Sequence, residues 1–198
     1  MNYLAHAVLS FNDPGMLTGN MISDFVKGRK QFDYPIHIQK GIRLHRDIDA
    51  FTDAHPVTKE LKSFFRPHYR LYSGPFADIV YDHFLANDRM EFETKGSLRD
   101  FTALTYKSLE KDLTLFPRVF QKMFPYMKTH DWLWNYSFLE GIEKSFQGLV
   151  RRASYISESA TAFGLLNKHY KAMGACYTEF WPLLKNFTLD QFNWLLNN

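Results

Sequence analysis

Apolar positions recur at helical intervals along most of the chain, and period-two alternation is nearly absent. In "SLRDFTALTYKSLEKDL", Leu98, Phe101, Thr105 and Leu109 share one face, and Ser97 with Asp100 has the spacing of a capping box. Phe163, Leu166, Tyr170, Met173, Tyr177, Phe180 and Leu184 follow one another by threes and fours, predicting one long helix bent at Pro182. Pro56 and Pro117 each predict a helix start, where a missing N–H costs little. Turn-rich breaks fall at 12–15, 27–35, 72–75 and 87–97, with no repeat and no flexible linker. The pattern predicts an all-α fold: a single compact multi-helix domain over 1–198, with about seven to nine helices.

Four predicted helices carry ionisable or amide groups where apolar residues are expected. The stripe that begins at Ile38 and Ile42 continues by helical steps to His45, Asp49 and Asp53. "GPFADIVYDHFLAN" is apolar on all sides yet holds Asp78, Asp82 and His83. "TGNMISDFVKG" places Asn20 and Asp24 four apart among apolar residues, and "NYLAHAVLS" places His6 in an apolar helix. Each has a plainer reading: Arg43 and Arg46 can pair with the aspartates on a solvated face, and a lone His6 can be a hydrogen-bonded core residue. Four such helices together predict one shared site, because an unpaired buried charge is expensive. Imidazole with carboxylate suits Mn²⁺, Fe²⁺, Zn²⁺ or Mg²⁺, and a mixed nitrogen–oxygen site with open positions is the catalytic kind.

Composition narrows the partners. Of 198 residues 45% are hydrophobic and 17% aromatic, enough for a ring-rich core, so "WLWNYSF" at 132–138 reads as packing. The net charge of +3 is far from a nucleic-acid-coating composition, and no nucleic-acid motif is present. No apolar run approaches the roughly 20 residues that span a bilayer, so no membrane partner is expected. "MNYLAHAVLSFNDPG" lacks the basic start of a signal peptide. The single cysteine, Cys176, forms no intrachain disulfide and supplies no thiolate cluster for a structural zinc. A cytoplasmic location is the expectation.

The segments "NYLAH" (2–6), "GN" (19–20), "DFVKG" (24–28), "GIRLHRDIDAFTD" (41–53), "DHFL" (82–85), "RR" (151–152), "LNKHY" (166–170) and "FWP" (180–182) together resemble the acyl carrier protein phosphodiesterase family almost end to end. The resemblance implies an HD-domain-like helical fold and a divalent metal, usually manganese. It implies hydrolysis of the phosphodiester joining 4′-phosphopantetheine to a serine of holo acyl carrier protein. The family-matching polar positions are His6, Asn20, Asp24, His45, Arg46, Asp49, Asp53, Asp82, His83 and Arg152. HD-domain relatives use an adjacent His-Asp pair, whereas here Asp82 precedes His83 and Arg46 follows His45.

On this basis Asp24, His45, Asp82 and His83 are expected as metal ligands. His6, Asp49, Asp53 and Arg46 are expected in catalysis or behind the ligands, and Arg152 and Asn20 in substrate binding. The partner implied is acyl carrier protein, an acidic protein, for which "KGRK" (27–30), Arg66, Arg70 and "RR" are candidate docking charges. Two other readings remain open: a related phosphohydrolase acting on a nucleotide or another small phosphodiester, and a helical module that binds the carrier without catalysis.

Overall fold

The computed structural model describes residues 1–198, all in helices and their connections, with no strand. Eleven α-helices follow one another: α1 (Tyr3–Val8), α2 (Pro14–Ile22), α3 (Ile36–Ala54), α4 (Pro56–Tyr69), α5 (Ser73–Ala86), α6 (Lys95–Leu109), α7 (Arg118–Thr129), α8 (Trp132–Asn135), α9 (Leu139–Arg152), α10 (Ala160–Lys168) and α11 (Tyr170–Asn197). Short 3₁₀ turns join several of them, including Ser23–Phe25 and Gly28–Asp33 after α2. No helix is long and apolar enough to cross a membrane.

The all-α expectation holds, and three local expectations are corrected. The helix count exceeds the expected range because α8, 4 residues long, is too short to show a 3.6-residue period, and because the one long C-terminal helix expected is two, α10 and α11. The capping box of α6 is Thr94 with Ser97, not Ser97 with Asp100: the Thr94 hydroxyl accepts from Ser97 N–H, and the Ser97 hydroxyl from Thr94 N–H. The long C-terminal helix is interrupted at His169, and α11 then runs unbroken past Pro182.

One core cluster joins helices from both ends of the chain. Its centre is aromatic, with Phe65, Phe76, Phe146 and Phe180 inaccessible to solvent, and Phe76 meets Phe146 edge to face at 4.9 Å. α5 threads this core, as its apolar circumference predicts. α2 lies against α3 at unusually short range. A Cβ on Gly19 would stand 2.2 Å from Ile38 O, and one on Gly41 would stand 2.4 Å from Met16 O. Only glycine permits that approach. The crossing sets Asn20, one residue past Gly19, beside His45, four residues past Gly41.

Candidate metal centre

His6 comes from α1, Asn20 from the last turns of α2, Asp24 from the 3₁₀ turn that follows, and His45 and Asp49 from α3. The two imidazoles stack with centroids 4.0 Å apart and planes 13° from parallel. Asn20 has no exposed surface and orients both rings. Its Nδ2 donates to His6 O at 2.9 Å and to Ser10 Oγ at 3.1 Å, so its Oδ1 is the acceptor facing His6 Nδ1 at 2.7 Å. Its backbone carbonyl accepts from His45 Nδ1 at 2.7 Å. Both rings therefore carry a proton on Nδ1 and turn Nε2 toward the same space.

Carboxylates meet those Nε2 atoms. His45 Nε2 lies 3.1 Å from Asp49 Oδ2 and 3.3 Å from Asp24 Oδ1, and His6 Nε2 lies 3.4 Å from Asp49 Oδ1. Ligand atoms of His6, His45 and Asp49 all fall within 4.8 Å of one another. His6 Nε2 is buried and has no hydrogen-bond partner. The histidines are buried, whereas the Asp24 side chain is 65% exposed and Asp49 is 39% exposed, so the carboxylate side faces solvent.

The charges follow from this packing. Burial, and then the charge of neighbouring His45, push the His6 imidazole down to about 4. Burial also works against a charged His45, but hydrogen bonds with Asp24 and Asp49 outweigh it and lift the ring to about 9. The hydrogen bond from His45 holds the Asp24 carboxyl below its usual range. Burial opposes ionisation of Asp49, yet the Met1 ammonium at 3.3 Å and the two histidines hold it far below the usual range. The Met1 ammonium also lies 3.2 Å from Asp78 on α5.

Other expected residues lie elsewhere. Asp82 is fully buried but caps α1, its oxygens accepting from Leu4 N–H at 2.7 Å and Ala5 N–H at 3.2 Å. Burial pushes its carboxyl up to about 7 against those N–H groups. Both ring nitrogens of His83 are engaged: Nδ1–H donates to Tyr136 O at 2.7 Å, and Nε2 accepts from the Tyr170 hydroxyl at 2.8 Å. The structure thus does not assemble Asp24, His45, Asp82 and His83 into one ligand set. It pairs Asp24 with His45 and leaves Asp82 and His83 no free ligand geometry toward that pair.

Asp53 is exposed and ion-paired to Lys62 at 2.6 Å, away from the cluster. Arg46 ties down the segment after Asp24, donating to Val26 O at 3.0 Å and to Gln31 Oε1. Arg152 is exposed at the end of α9 and forms no ion pair. Ser10, in the turn after α1, also helps hold Asn20 and carried no signal in the sequence beyond standing four residues after His6.

The model of the family "Acyl carrier protein phosphodiesterase" matches residues 1–184. A Yersinia pestis protein of that name is 32% identical over 93% of this chain and 95% of its own length. One from Yersinia enterocolitica is 31% identical over 96% and 99%, and one from Photorhabdus laumondii is 30% identical over 93% of each. No solved structure matches. His6, Asn20, Asp24, His45 and Asp49 all fall inside the matched span, and the chain belongs to the acyl carrier protein phosphodiesterase family.

Proposed function

We propose that this chain hydrolyses the phosphodiester between 4′-phosphopantetheine and a serine of holo acyl carrier protein. The products are the apo carrier and free 4′-phosphopantetheine. The reaction uses a divalent metal, Mn²⁺ foremost, with Mg²⁺, Fe²⁺ or Zn²⁺ as alternatives, held by His6, His45 and Asp49 with Asp24 beside them. The observation that carries the reading is the convergence of two Nε2 atoms and a carboxylate on one point, with His6 Nε2 buried and unpartnered. An unsatisfied buried polar atom costs about 1–3 kcal/mol, a cost that a cation at that point removes. The donor set, two imidazoles with one or two carboxylates, fits these metals.

Bound there, the metal supplies Lewis acidity toward a phosphoryl oxygen and a water of lowered pKa. The protein's own part is orientation. Asn20 holds both imidazoles with Nδ1 protonated, leaving the Nε2 lone pairs free to ligate once His45 gives up its second proton. Asp49 remains ionised and offsets the charge of the centre. Asp24 stands at the open edge, where a substrate phosphate arrives. Arg152 is a free cation for the phosphoryl group. Arg46 keeps the Asp24 turn in place through Val26 O.

The test is incubation of chelator-stripped protein with holo carrier protein, with and without Mn²⁺, followed by mass spectrometry of the carrier. Loss of the prosthetic group only with metal supports the proposal. An intact carrier with fully metal-loaded, folded protein refutes it, and cleavage of a small phosphodiester instead moves the activity to another substrate.

A further inference from the structure

Beside the cluster lies a cleft of about 950 Å³, walled by the start of α1, the α7–α8 turn and α9. This is within the range of small-molecule sites. It connects to the candidate centre through α1 and α5. Asn2 and Tyr3 line it, and they follow Met1, whose ammonium contacts Asp49. Ile79 lines it, next in sequence to Asp78. Burial first, and then the Asp24 charge, raise the Tyr3 hydroxyl, while the Arg152 guanidinium opposes them. Tyr3 lines the cleft with its hydroxyl 3.8 Å from Met123 Sδ on α7.

The walls alternate in chemistry. Tyr126, Trp132 and Trp134 present rings, while Asn135, Ser145 and Gln147 present hydrogen-bonding groups. Asp131 between α7 and α8 has φ 43°, a left-handed backbone unusual for a residue other than glycine. Trp132 and Trp134 follow that turn in α8, and both line the cleft. Arg99, Lys144, Arg151 and Arg152 are exposed around the cleft and none forms an ion pair. Arg99 instead lies over the Trp134 ring at 5.7 Å.

We propose that this cleft binds the pantetheine arm of the substrate, with the phosphate end toward Asn2 and Tyr3 at the start of α1 and the thiol end among the rings of the α7–α8 wall. The inference rests on the phosphodiesterase reading and adds to it a site for the leaving group. Pantetheine is a linear chain in which gem-dimethyl and methylene groups alternate with two amides and a hydroxyl. Aromatic faces match the former, and the amide and hydroxyl side chains match the latter. The net positive rim suits a ligand that ends in a phosphate.

Gly148 on α9 offers a steric test, because a Cβ there meets only Arg152 Nη1 at 3.7 Å and Arg151 Nη2 at 3.9 Å, ordinary contact. Gly148→Leu therefore narrows the cleft without a backbone clash. By contrast a Cβ on Gly141 would lie 1.9 Å from Asn135 O, so that glycine is not substituted. Titration calorimetry of the full chain, stripped of metal, measures pantetheine binding without any phosphate–metal contribution. Saturable binding that Gly148→Leu weakens at least tenfold, at an unchanged unfolding temperature, is the expected result.

If Gly148→Leu fails to fold, Tyr126→Ala, at an exposed ring of the facing wall, takes its place with the same expectation. Absence of pantetheine binding to the unaltered protein, or equal binding to the variant, overturns the proposal. Holo-carrier cleavage separates the two readings. Cleavage together with equal binding removes the cleft and leaves the reaction. Pantetheine binding without cleavage removes the reaction and leaves the cleft.

Discussion

Asp82 and Asp24 make opposite predictions for the same change, aspartate to asparagine. Asp82 is buried and holds two backbone N–H groups of α1. In Asp82→Asn the new amide keeps one carbonyl acceptor and turns an NH₂ toward the second N–H, leaving that donor unpaired at a cost of about 1–3 kcal/mol. Loss of charge assistance adds to this, and relief of a buried charge offsets part of it. The net is about 2 kcal/mol, which for a chain of this size lowers the unfolding temperature by about 4–8 °C. Metal affinity and turnover per folded molecule should fall by less than about tenfold, because the loss reaches His6 only through α1.

Asp24 is 65% exposed, and exposed pairs are worth about 0–1 kcal/mol, so Asp24→Asn should leave the unfolding temperature within about 4 °C. Turnover should fall by about 10–100-fold, because the carboxylate that meets His45 Nε2 and offsets the charge of the centre is lost. Calorimetric unfolding and holo-carrier cleavage on both variants are the assay. An Asp82→Asn protein of unchanged stability that no longer binds metal would refute the assignment of Asp82 to the α1 cap.

Asn20→Ala removes the acceptor from His6 Nδ1 and two donated hydrogen bonds; we expect a stability loss of about 2–4 kcal/mol and metal affinity lowered about 10–100-fold, by denaturant titration and metal titration. Gly41→Ala pushes a methyl group toward Met16 O and should cost about 1–3 kcal/mol or more while weakening metal binding, since it parts α2 from α3; unchanged values of both would contradict the close crossing. Lys27, Arg29 and Lys30 are exposed beside the Asp24 turn, so Arg29→Glu with Lys30→Glu should raise KM for an acidic carrier, with the difference from the unaltered protein shrinking as salt screens beyond about 10 Å at 0.1 M.

Much of the fold was legible because helical periodicity reports burial directly. The stripe on α3 led from Ile38 and Ile42 to His45 and Asp49, and both face the candidate centre. α5 was recognisable as a buried helix by its apolar circumference. The shortest element was not legible, since α8 holds only about one turn, whereas the six-residue α1 was visible through its unbroken apolar run around His6. Polar residues on apolar helices were visible, but their partners were not. His6 and His83 look alike in sequence, each a histidine among apolar neighbours. What separates them is a backbone carbonyl 53 residues away and a tyrosine hydroxyl 87 residues away, contacts that no local pattern encodes. Likewise Asp82 has the i, i+4 spacing of a ligand pair with Asp78, yet its partners are the N–H groups of a helix 77 and 78 residues earlier.

The most direct test of the centre is pulsed electron paramagnetic resonance of bound Mn²⁺, which detects the nitrogen nuclei of coordinated imidazoles. The arrangement of His6 and His45 predicts two coupled imidazole nitrogens, reduced to one in His6→Ala or in His45→Ala and still two in His83→Gln. Absence of nitrogen coupling, or loss of a coupled nitrogen in His83→Gln with both retained in His6→Ala, would contradict the account.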